Sequence, residues 1–181
     1  MRLKQGEMMR KTMMAAGMAA IMLAGCAKSG PPPKREPGSW SSKFELKRVE
    51  GKDADKAKAA MTPMFAMMSA MSICVTPEMS AKEDPTQDVE KLGGPNGRCT
   101  FDRKSIAGGT IDVAGTCKLA NGKTTKVTAT GTLGASVQDM DTTVEVFDAT
   151  GAKEGLMEIA NHSTRNGECT AKDMKSPPAT M

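Results

Sequence analysis

Tyrosine is absent from the 181 residues, tryptophan occurs once and phenylalanine four times. With so few large rings the apolar core has to be modest, and a small core needs other support. Histidine is nearly absent as well. One residue, His162, cannot build a multi-histidine metal site and would have to serve any hydrolytic dyad alone, and no G-x-S-x-G segment accompanies it. No Lys/Arg cluster interleaved with aromatics appears, which excludes the usual nucleic-acid-binding face. P-loop spacing is missing too: NGKT at 121 to 124 and GGPNG at 93 to 97 carry turn chemistry, and Gly115 lies too far from Gly122 for a phosphate loop. The acidic residues Glu83, Asp84, Asp88 and Glu90 follow no calcium-loop spacing and read as a solvated loop.

The sequence is rich where an export signal is rich. Arg2, Lys4, Arg10 and Lys11 precede an uncharged run from Thr12 to Leu23, a signal-peptide layout. That run is little more than half of the roughly 20 apolar residues needed to cross a bilayer, so it reads as an export signal over residues 1–25 and not as a permanent span. It closes on Leu23, Ala24, Gly25 and Cys26, which resembles the lipobox of bacterial lipoproteins. The resemblance implies cleavage before Cys26, several acyl chains on it, and anchoring in the cell envelope. Ala27, not Asp, follows the cysteine, and similarity to enterobacterial sorting implies the outer membrane, facing the periplasm.

Removing that segment changes the composition. It holds four of the 25 basic residues and one of the 21 acidic ones, leaving 21 against 20, and it takes seven of 17 methionines with it. The remaining chain is nearly neutral and has the length of one domain. It also keeps an even number of thiols: Cys74, Cys99, Cys117 and Cys169 fit two disulfides in an oxidising compartment, with three pairings open.

Residues 26–38, including AKSGPPPKREPG, read as a lipidated cysteine with a Pro-rich tether, which would hold the domain tens of ångströms from the bilayer at about 3.1 Å per residue. A β-rich domain over 39–169 follows, then a polar tail over 170–181 that reads as disordered. Within the domain, Trp40, Phe44 and Leu46 alternate along a first strand near Ser39 to Val49. Asp53 to Ala70 reads as a helical insertion, interrupted at Thr62 and Pro63, where a second helix could start. Ser72 to Thr76 suggests a short strand, after which Thr76, Pro77 and Glu78 have cap, first-turn and dipole preferences for a helix start. Ile111, Val113, Gly115 and Cys117 share one parity of a strand, and Gly108 with Gly109 supplies the turn before it. A hairpin centred on Gly108 sets Cys99 opposite Cys117, where a cross-strand bridge is geometrically possible. By elimination the other bridge would be Cys74 to Cys169. Asn121-Gly122 predicts a type I′ hairpin. Val127, Ala129 and Leu133 share a parity; Val144 and Val146, then Met157 and Ile159, mark the last strands around a turn at Thr150 and Gly151. The expected fold is mainly β, an antiparallel meander curved towards an open barrel, with the helical insertion near residues 53–70 and two disulfides.

From Pro37 to Cys169 the chain resembles the family called domain of unknown function 3617, found in short exported proteobacterial proteins. PGSW, the methionine-rich stretch leading to CVTPE, the cysteines at 99 and 117 and the ending STRNGEC carry the resemblance. Ser163 and Thr164 stand before Arg165 where the family ending looks like a glycine-arginine pair. The family implies no activity.

The remaining candidate is Met61, Met64, Met67, Met68 and Met71, spaced as a helical stripe. Packing of the helix on the sheet is one account. An apolar surface for a ligand or an envelope protein is another, since methionine adapts to irregular partners. Cu(I) ligation by thioethers is a third. The sequence points first to a non-enzymatic binding domain without a cofactor, with a structural envelope protein, a copper binder and a hydrolase using His162 as alternatives.

Overall fold

A computed structural model describes residues 30–90, 98–119 and 121–175. The signal segment, Cys26, GGPNG and residues 176–181 lie outside the described residues. The elements in chain order are β1 (Gly38–Gly51), α1 (Ala54–Ser69), β2 (Ser72–Val75), α2 (Pro77–Lys82), α3 (Pro85–Glu90), β3 (Arg98–Ala107), β4 (Thr110–Lys118), β5 (Thr124–Leu133), β6 (Val137–Phe147), β7 (Lys153–Gly167) and β8 (Met174–Lys175). They form one sheet ordered β3-β4-β5-β6-β7-β1-β2-β8, which does not close. All neighbours are antiparallel except β2 and β8, which pair in parallel. The expected mainly β, open meander with a helical insertion is therefore the observed fold.

Both disulfides form, Cys99–Cys117 within the β3–β4 hairpin and Cys74–Cys169 between β2 and the end of β7. The register behind the first is less direct than a hairpin centred on one glycine. Gly108 and Gly109 form a two-residue turn that pairs Ala107 with Thr110, and a regular ladder from there would set Cys99 opposite Lys118. A bulge at Asp102, between Phe101 and Arg103, advances β3 by one residue and returns Cys99 to Cys117. It also reverses the parity of the strand, so Phe101 and Cys99 turn towards the core while Asp102 is exposed.

Several local expectations change. α1 runs unbroken through Pro63, and no second helix starts there; the Thr62 hydroxyl donates to the Lys58 carbonyl at 2.8 Å in the turn where proline removes a backbone donor. At Asn121-Gly122 the loop is longer than a type I′ hairpin: Leu119 N–H donates to Lys123 C=O, Gly122 N–H donates to Leu119 C=O, and Gly122 takes φ +79°. The same arrangement recurs from Asp148 to Ala152 with Gly151 at φ +90°, so each loop ends in a left-handed glycine. The acidic stretch is not a plain loop either. Glu83 pairs with Arg35 at 2.6 Å, and Asp84 accepts from Thr86 N–H and hydroxyl at the head of α3.

Both ends of the domain extend beyond the expected bounds. Past Cys169, Asp173 accepts from Ser39 Oγ at 2.8 Å and Met174–Lys175 joins β2. Before β1, the Pro-rich segment from Gly30 to Pro37 is hydrogen-bonded to the domain, where a free spacer was expected. Gly108 N–H donates to Gly30 C=O at 2.9 Å, Glu36 N–H to Ala135 C=O at 2.8 Å, and Lys34 Nζ to Ala81 C=O. Arg35 lies over the buried Trp40 ring, whose indole N–H donates to Glu36 C=O at 2.9 Å.

Candidate apolar face

Directly paired residues share a sheet face, so the register defines rows across the strands. One row joins Phe44, Asn161, Met140, Gly131 and Ile111; the next joins Leu46, Ile159, Thr142, Ala129 and Val113; a third joins Val49, Met157, Val144, Val127 and Gly115. This inner face carries the core, where Val89 of α3 packs on Ile111, Val113 and Leu133. Burial is uneven along each row. Ile111, Val113, Val127, Ala129 and Leu133 of β4 and β5 are buried, whereas Met140, Val144, Val146, Met157, Ile159, Phe44 and Leu46 of β6, β7 and β1 are only half-buried. The helices contribute to the difference. Val89 of α3 covers Ile111 and Val113 of β4 and Leu133 of β5, with half-buried Met140 of β6 at the margin of the same cluster. α1 lies along β1 with Phe65 stacked on Phe44 at 5.7 Å, which leaves the β6–β7 strip between the two helices with partial access to solvent.

One end of this strip is polar. Ser42 and buried Ser163 are paired across β1 and β7 with their hydroxyls 2.7 Å apart, and Ser163 also donates to Asn161 Oδ1 at 3.4 Å. An apolar face with a few placed polar groups at one end is the usual chemistry of a small-molecule site. Sequence reading missed Asn161 and Ser163 because it stopped at the histidine between them. Their parity, shared with Met157 and Ile159, was the signal that could have found them.

The five methionines divide by exposure. Met61 and Met68, on the Phe65 side of α1 by helical spacing, are half-buried, as is Met71 beyond the end of the helix, while Met64 and Met67 are 43% and 61% exposed. From Ala59 to Pro77 the chain carries no charge, so the outward side of α1 beyond Lys58 is an uncharged surface flanking the strip. Among the described residues no group of His, Cys, Asp and Glu could hold a metal, and no helix is long and apolar enough to cross a membrane.

His162 sits on the opposite, outer face. Its Nδ1 is 2.5 Å from Asp139 Oδ1 and its Nε2 is 3.0 Å from Thr164 Oγ1. The order carboxylate, imidazole, hydroxyl is that of a nucleophile relay. A relay needs an enclosed site and free backbone donors for the oxyanion. Here the histidine and the aspartate are 53% and 56% exposed, and β7 is paired with β1 and β6 on both sides, so its backbone N–H groups are used in the ladder. Among the described residues, nothing at this position brings donors to a reacting carbonyl.

A family model described as a protein of unknown function (DUF3617) matches residues 35–169. The chain belongs to the DUF3617 family. The match starts at Arg35, within the docked Pro-rich segment, and ends at Cys169, so both disulfides and the whole inner face lie inside it. No curated protein and no solved structure matches the chain.

Proposed function

We propose that this DUF3617 protein is a lipid-anchored cell-envelope domain that binds an apolar ligand along the half-buried strip of β6 and β7 beside α1. The observation carrying this reading is the burial gradient within single rows. Apolar residues on one continuous face are buried on β4 and β5, Ile111, Val113 and Leu133 among them under Val89 of α3, and left half-covered on β6 and β7, a distribution that an apolar guest would complete. The polar end at Ser42, Asn161 and Ser163 would orient it. The anchor reading rests on the lipobox-like LAGC at 23 to 26 and draws support from the cysteines, since the other four pair among themselves and leave Cys26 for the lipid. Disulfides also suit an oxidising compartment. Labelled palmitate entering the chain, and failing to enter a Cys26→Ala variant, is the expected result for the anchor.

The ligand is tested by extracting the lipidated protein gently from its own membrane and identifying co-purifying molecules by mass spectrometry. An enriched apolar small molecule is expected, reduced several-fold when Met67 and Met68 are both changed to Gln. Exposed substitutions of this kind usually alter stability within about 0.5 kcal/mol, so folding should survive at Met67. Recovery of no enriched molecule, of a protein only, or of a ligand indifferent to the double substitution would sink the small-ligand reading.

A further inference from the structure

The Pro-rich segment offers a second conclusion, which rests on the anchor reading above. If it were free, the dozen or so residues from Cys26 to β1 would span about 40 Å at polyproline rise. Its docking shortens that span. Gly30 C=O accepts from Gly108 N–H, Arg35 is held by Glu83 at both backbone and guanidinium, Ser80 Oγ donates to Arg35 C=O at 2.5 Å, and Arg165 Nε donates to Pro37 C=O at 2.8 Å. Only the four residues before Gly30, Cys26 to Ser29, remain as reach, at most about 14 Å even when fully extended.

We propose that Gly30–Pro37 is a clamp that seats one end of the sheet on the headgroup layer of the bilayer holding Cys26. That end is set by the clamp's own contacts: the β3–β4 turn at Gly108 and Gly109 and the β5–β6 loop at Gly134 to Ser136, where Val137 exposes an apolar side chain at 39%. The loops at Leu119 to Lys123 and Asp148 to Ala152 then face away from the membrane. β5 runs ten residues between the two ends, about 30 Å. The domain therefore has a fixed orientation, with Ser42, Asn161 and Ser163 at the membrane-proximal end of the apolar strip.

The test uses the lipidated full-length product in phosphatidylcholine–phosphatidylglycerol vesicles, with a fluorophore on Ser136→Cys or Ala149→Cys; the four native domain cysteines are in disulfides and do not react. A nitroxide on lipid headgroups should strongly quench the label at 136 and leave the one at 149 nearly unaffected. Ser80→Ala with Glu83→Ala should bring the two labels towards equal quenching. Equal quenching in the otherwise unaltered, palmitate-bearing protein would overturn the clamp while leaving the anchor standing. A chain that incorporates no palmitate and does not float with vesicles would overturn the anchor reading and the clamp together. The comparison of the two labels needs no clamp variant, so a misfolded Ser80/Glu83 variant does not protect the proposal.

Discussion

At Asp173 one carboxylate ties the chain's last described turn to its first strand, accepting from Thr170 N–H and from Ser39 Oγ. Those donors, the Thr170 amide first, hold its pKa below the ordinary aspartate value. A depressed folded-state pKa means the unfolded chain binds the proton more readily, so the contribution is complete above the ordinary aspartate value and is lost as pH falls through the lowered one. Protection of the Met174 and Lys175 amides, measured against their intrinsic exchange rates, should accordingly fall at acid pH, with β8 leaving β2 before the rest of the sheet opens. Asp173→Asn should exchange faster at neutral pH and lose that acid step. Asp148 is held low by the Thr150 hydroxyl first and then by the Ala152 amide, the same device applied to a loop.

At the level of elements, the decisive feature is the β3 bulge. Since Asp102 is the extra residue, deleting it should regularise the ladder and keep Phe101 opposite Gly115 and Cys99 opposite Cys117. Deleting Thr100 should turn Cys99 to the outer face and leave both thiols free. Thiol titration and peptide mapping of the two deletions distinguish these outcomes; a bridge retained in the Thr100 deletion would contradict the register. β3 is also a sheet edge, and its exposed Arg103 and Lys104, with Lys104 Nζ 5.8 Å from the Phe101 ring centroid, make that edge a poor template for another strand.

For the whole molecule, the two disulfides have unequal reach. Cys74–Cys169 spans 95 residues and Cys99–Cys117 spans 18, so chain entropy assigns them about 4.7 and about 3 kcal/mol. Replacing Cys74 and Cys169 together by Ser should lower the denaturant midpoint more than replacing Cys99 and Cys117. The long bridge also joins β2 to the segment that carries β8. Its removal should therefore raise exchange at Ile73 and Met174, while the short bridge's removal should act on β3.

Short-range chemistry was legible in advance. Alternation placed Ile111, Val113 and Cys117 on one face, Thr76 and Pro77 began α2, with Thr76 Oγ1 accepting from Met79 N–H at 3.2 Å, and glycines marked the turns. These follow from side-chain parity, capping and backbone conformation, which depend on neighbours a few residues apart. An even cysteine count likewise implied two bridges. What only the tertiary structure decided was set by distant partners. Continuation of α1 through Pro63 accompanies packing of Phe65 on Phe44. The bulge at Asp102 reconciles a two-residue turn with an inward Phe101 and Cys99. The segment from Gly30 to Pro37 has no apolar period of its own and reads as a spacer, because its hydrogen-bond partners, Gly108, Ala135, Ser80 and Glu83, lie tens of residues away and meet it only after the sheet has formed.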